Sequence, residues 1–164
     1  MDKDRKYNLS FNIYKPNKDH TRGCASSWEF NEGTGTFFLS VAKQKEEKTS
    51  KGNFTFDWDN KCIMKLGSVE LAELKLVFRG QKPCVGKIDG NEGGGFYHES
   101  GVGSNCILKM FRHKDRPEVF VMKISSKNGD KLFKSAHLIT DSEAEYLATL
   151  FDNVIWQTYQ MSGN

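Results

Sequence analysis

Apolar and polar residues alternate in several short stretches of this chain, and a period of two is the mark of a strand with one covered face. In YNLSFNIY at 7–14, Tyr7, Leu9, Phe11 and Ile13 fall on one side. The polar segment KPNKDHTRG reads as a connection. SSWEF at 26–30, the turn NEGTG and TFFLSVAKQK at 36–45 then predict a hairpin, with Phe37, Leu39 and Val41 alternating with Ser40 and Ala42. After a polar loop, FTFDW at 54–58 and KCIMKL at 61–66 predict two further strands. Asp59-Asn60 between them suits a tight turn, because both residues tolerate positive φ.

The period then changes. Val69 or Leu71 begins a helical pattern that runs through Leu74, Val77 and Phe78. Ser68 offers an N-cap hydroxyl and Gly80 a C-cap. Residues 80–104 hold eight of the fifteen glycines, and they predict a loose linker between two halves. The second half repeats the order. GFYHES, NCILKMFRH at 105–113, VFVMKISSK at 119–127 and DKLFKSAHLI predict four strands, with Asn128-Gly129 as the strongest hairpin signal. Thr140 to Trp156 predicts a helix opened by the capping box Thr140 and Glu143. Laid side by side without a gap, residues 63–78 and 136–151 place Glu70 on Glu143, Leu74 on Leu147 and Phe78 on Phe151.

The expected architecture is α+β, with two strand-strand-strand-strand-helix repeats whose antiparallel sheets pack on their helices. The expected division is an N-terminal strand and connection at 1–23, a first repeat at 24–80, a glycine-rich linker at 81–94 and a second repeat at 95–164, all in one integrated domain.

Composition narrows the chemistry. Net charge is only +3, so charge alone does not imply nucleic acid. Its distribution says more. Asn105 to Lys134 carries eight Lys or Arg against three acids, whereas Ser135 to Asn164 carries no Lys or Arg and four acids. Two faces or ends of opposite potential follow. Cys24, Cys62, Cys84 and Cys106 form no CxxC pair, and His20, His98, His113 and His137 show no ligand spacing, so neither metal nor cofactor is expected. The glycine runs match neither GxGxxG nor GxxxxGK, and no nucleophile stands beside a base in any recognisable pattern, so an enzyme is not expected. The charged start MDKDRKYNLS lacks an apolar core, and no apolar run is long enough to span a bilayer. A soluble intracellular protein with reduced thiols is expected, in cytoplasm, nucleoid or an organelle.

The doubled unit resembles the Whirly fold, shared by plant Whirly proteins and kinetoplastid mitochondrial RNA-binding proteins. The transcriptional positive cofactor four family carries one such unit per chain and dimerises. The likeness covers about residues 24–157, with KLGSVELAEL and LITDSEAEYL as its sharpest pieces. The short Lys-Gly-Lys-Ala motif of the plant proteins has no match here. Lys43 and Lys45 in FFLSVAKQK are the nearest basic equivalents. The resemblance implies binding of single strands over the sheets with little sequence preference. It also implies a homo-oligomer, a tetramer being favoured, with helices central and basic sheets outward.

Single-strand binding needs cations for phosphates and flat faces for bases. The second half offers Lys109, Phe111, Lys123 and Lys127 on one alternating face, extended by Lys131 and Lys134, with Arg112 beside them. The first half offers Trp28, Phe38 and Trp58 with Lys43, Lys45, Lys61 and Lys65. The bland alternative is that any antiparallel sheet with one wet face carries lysines there. Phe54, Phe56 and Trp58 suit a core face better than a stacking platform, Trp58 being the most exposed candidate. On the last helix, Leu147, Leu150, Phe151, Val154 and Ile155, widened by Trp156 and Tyr159, form more apolar surface than one stripe needs and are expected to meet another subunit.

The leading expectation is therefore a non-sequence-specific single-stranded DNA-binding protein serving replication, recombination or transcription. A single-stranded RNA-binding or annealing protein of the same fold is the close alternative. A protein-interaction module docking through the acidic apolar helix is the alternative from another class.

Overall fold

In the first hairpin every second side chain is withdrawn from water. Trp28 and Phe30 on one strand, with Phe37, Leu39 and Val41 on the next, are all buried. The computed structural model describes residues 9–163, so Tyr7 and the charged start lie outside the described residues. Strand β1 (Leu9–Lys15) pairs antiparallel with β2 (Cys24–Asn31), and β2 with β3 (Thr36–Lys48). The short β4 (Phe54–Phe56) pairs with the far end of β3 from Gln44 to Lys48, and β5 (Cys62–Leu66) pairs with β3 from Phe37 to Val41. Between β4 and β5 the chain makes a 3-10 turn, Trp58–Asn60, in place of the tight two-residue turn expected at Asp59-Asn60.

Helix α1 (Ser68–Phe78) follows. Its N-cap is Gly67, one residue before the expected Ser68, and the Glu70 carboxylate accepts the Gly67 N–H at 2.8 Å. Gly80 closes the helix at φ 71°, a left-handed conformation that a side chain would strain. The second sheet runs in simple order: β6 (Phe96–Glu99), β7 (Ser104–Arg112), β8 (Val119–Asn128) and β9 (Lys131–Thr140). Gly129, at φ 59°, turns β8 into β9. Thr140 then caps α2 (Asp141–Ser162), accepting the Glu143 N–H while Glu143 accepts the Thr140 N–H. The helix runs on past Trp156, where the sequence pattern ends it.

Both sheets and both helices contribute to a single core. The Phe151 ring meets Trp28 at 5.7 Å, Phe37 at 5.6 Å and Phe78 at 6.4 Å, so one α2 residue joins the first sheet to α1. An ion pair of 2.7 Å between Lys15 and Glu143 ties β1 to the start of α2.

The glycine-rich stretch is not loose. The Val85 N–H donates to Met110 O, the Gly95 N–H donates to Val85 O, and Val85 itself is buried. The Glu73 carboxylate accepts from the Gly86 N–H at 2.8 Å and from Lys82. A Cβ on Gly86 would stand 2.2 Å from Gly95 O, so this close approach requires glycine. Among the described residues no helix is long and apolar enough to cross a membrane.

Candidate nucleic-acid interface

Strand alternation sends Lys109 and Lys123 to the outer face of the second sheet, and the register places them directly opposite one another. Like charges at that spacing repel. Glu92, from the glycine-rich stretch, reaches over them, with Oε1 at 2.5 Å from Lys123 and Oε2 at 3.9 Å from Lys109. The hydrogen bond from Lys123 holds the Glu92 carboxyl below its usual range. Ser125 pairs with Lys134 in the neighbouring row, and exposed Lys127 continues the face. A hollow of roughly 490 Å³ lies there, bordered by Glu92, Ile107, Lys109, Lys123 and Lys134.

Lys43, Lys61 and Lys131 do not join that face. They meet at the open end between the two halves, around a second hollow of roughly 530 Å³ that also takes Asp57, Asn60, Asn128 and Phe133. Lys43 Nζ stands 5.1 Å from the centre of the Phe133 ring. A third hollow adjoins it, sharing Lys43 and adding Lys15, Arg22 and Lys134. Lysines of both halves thus border adjoining hollows. Lys65 lies elsewhere, on the outer face of the first sheet beside its cross-strand neighbour Phe38. Lys45 is half-buried on β3, and Trp58 is half-buried in the 3-10 turn.

Several expected residues are placed differently. Trp28 is 0% exposed and donates its Nε1–H to Ser26 Oγ, so it is a core residue and offers no stacking surface. Phe111 shares the alternating face of Lys109 but is only 8% exposed. Cys84 bridges to its backbone, and the Lys123 ammonium lies 5.6 Å from its ring. Arg112 packs over the buried Phe120 ring at 4.2 Å and pairs with Asp141 at 3.2 Å, on the opposite face from the lysines. On α2, Leu147, Leu150, Phe151 and Val154 are buried within their own fold, and Ile155 packs against that core. Of the expected interface residues, Trp156 and Tyr159 stay exposed, their rings stacked at 6.2 Å.

Other features carry no clear signal in the sequence. Glu92 sits in a glycine run that reads as a mere linker. Phe133 and Arg22 fall in segments with no distinctive spacing. Cys62 and Cys106, from different sheets, bring their sulfurs to 3.6 Å. Their shared hydrogen bond lowers the Cys62 thiol and raises Cys106. Cys24 Sγ lies 3.0 Å from His137 Nδ1. Burial raises the Cys24 thiol and pushes His137 down to about 4, so at neutral pH the pair is uncharged.

No protein-family model matches this chain, and no curated protein matches it in sequence. Solved structures do. The MRP1/MRP2 proteins of Trypanosoma brucei superpose with a TM-score of 0.67 at 15% identity, covering 96% of this chain and 90% of that one. WHY1 from Arabidopsis thaliana superposes with a TM-score of 0.65 at 17% identity, covering 92% and 90%. The chain has the Whirly fold. A third Whirly-fold structure, a guide-RNA-binding protein complex bound to a guide RNA, matches with a TM-score of 0.62 at 15% identity, covering 92% and 91%. The superpositions establish the shared architecture, and identities this low carry nothing beyond it.

Proposed function

We propose that this protein binds single-stranded nucleic acid with little sequence preference, single-stranded DNA first. The observation that carries the reading is the continuity of lysines from the outer face of the second sheet, through Lys134, to the cleft where Lys43, Lys61 and Lys131 meet. These cations lie on strands and strand ends. A flexible single strand can follow such a curved track, whereas a rigid duplex presents its phosphates on a cylinder. Replication, recombination and transcription all expose single strands of this kind.

A specific observation favours RNA as the second reading: one of the Whirly-fold structures is bound to a guide RNA. Phosphate contacts and stacking are common to DNA and RNA, and the 2′-OH is where they separate. We further propose that Trp156 and Tyr159, exposed on α2, seat another copy of the chain in a tetramer.

The test is a titration of labelled single- and double-stranded DNA and RNA at two salt concentrations. Tighter binding of single strands, weakening as salt rises, is expected. Equal affinity for duplex and single strand overturns the reading.

A further inference from the structure

Aromatic rings left in water at one end of the first sheet call for an explanation. Tyr14 falls on the opposite side of β1 from buried Ile13 and is 54% exposed. Phe54 on β4 is 37% exposed, and Phe56 and Trp58 are half-buried. Sequence alternation alone makes Phe54, Phe56 and Trp58 core residues. Here β4 is three residues long and pairs only with the far end of β3, so it adds rings to the rim of the sheet. Tyr14 and Phe56 meet with ring centres 5.6 Å apart. With Pro16 and Thr55, these four rings line a hollow of roughly 530 Å³.

Two further observations specify the occupant. None of the residues lining the hollow is charged, so it suits a flat, uncharged group. Cations flank it on two sides, however, with Asp57 among those on the second. Lys48 Nζ lies 4.8 Å from the Phe54 ring centre. On the other side, the Asp57 N–H donates to Lys43 O at 2.8 Å, which fixes Trp58, the next residue, beside the cleft of Lys43 and Lys61. A flat apolar group attached to a chain of negative charge fits both conditions.

We propose that this hollow is a base-stacking subsite, in which unpaired nucleobases insert among Tyr14, Phe54, Phe56 and Trp58 while their phosphates lie against Lys43, Lys48 and Lys61. The proposal rests on the single-strand reading above and adds to it the place where bases, as distinct from phosphates, are held. Sequence tolerance follows, because every base has a stacking face.

The test uses the full chain with three probes: an oligothymidylate, an oligouridylate and an abasic oligomer of equal length. Wild-type protein is expected to bind the base-bearing probes at least about tenfold more tightly than the abasic one, the scale of one stacked base. Tyr14→Ala with Phe54→Ala is expected to remove most of that difference and to leave abasic binding unchanged. Both side chains are exposed, and an unaltered circular dichroism spectrum confirms that the variant is folded. Fluorescence quenching on binding is expected in wild type and reduced in Trp58→Phe. If the double variant retains full affinity while wild type binds strands, the subsite is overturned and the single-strand reading stands. If wild type binds no strand at low salt, both fall. If the double variant changes only the mass seen by light scattering, the hollow faces another copy of the chain, and the subsite is again overturned.

Discussion

Glu92 lies 2.5 Å from Lys123, on the face where an incoming phosphate would have to approach that lysine. The carboxylate relieves the repulsion between Lys109 and Lys123 in the free protein, and in the proposed complex it would compete for the same cations. Glu92→Gln should therefore bind single strands about two- to fivefold more tightly at low salt, the scale of one surface charge. The gain should vanish at high salt. Anisotropy titrations at two ionic strengths measure both effects, and unchanged affinity at low salt would place the strand away from this face.

Lys109, Lys123 and Lys127 replaced together by Ala should weaken binding at least about tenfold at moderate salt and flatten its salt dependence, since each lost phosphate contact releases fewer counterions. Lys43, Lys61 and Lys131 replaced together should do the same from the cleft. Melting temperatures should hardly move, because surface charges and surface ion pairs contribute little to stability. Normal binding by one triple variant would confine the strand to the other surface. Normal binding by both would end the proposed function.

His137 makes folding sensitive to acid. Its folded value of about 4 lies below the ordinary histidine value of about 6.5, so between these the unfolded chain holds more protons than the folded one. The stability is fully present above about pH 6.5 and is lost as pH falls toward about 4, amounting to roughly 3 kcal/mol over the whole interval. Denaturant midpoints measured across that interval should fall in wild type and fall less in His137→Gln. A flat wild-type profile would contradict the buried, uncharged imidazole.

On α2, core and surface separate cleanly. Leu147→Ala opens a cavity beneath the helix and should cost about 2–5 kcal/mol in urea denaturation. Trp156→Ala with Tyr159→Ala should cost little stability and reduce the mass found by light scattering. A wild-type mass of 18.7 kDa would rule out the tetramer.

Element types were legible because burial imposes its period on the sequence. The capping box at Thr140 and the helical stripe ending at Phe78 lead directly to α1 and α2. Sidedness was less legible. Alternation divides β7 into two faces without saying what lies over each, so Phe111 shares a face with Lys109 and is nevertheless covered. The same holds for Trp28, which reads as a binding candidate and is instead covered by Phe151 of α2. Long-range partners left no local trace. Glu92 is 31 residues from Lys123 in the chain, and no spacing rule links them. The charged and aromatic candidates divide among an outer face, a cleft and a core.

The shared core also determines what joins the halves. Phe151 of the second half rests on Trp28 and Phe37 of the first, and Val85 anchors the intervening stretch to β7. The mating of two apolar surfaces therefore specifies their arrangement, and the covalent connection adds its own contacts to the high effective concentration it gives them. Cleaved among its glycines, such a molecule would behave as two complementary fragments, each incomplete and each the template on which the other folds.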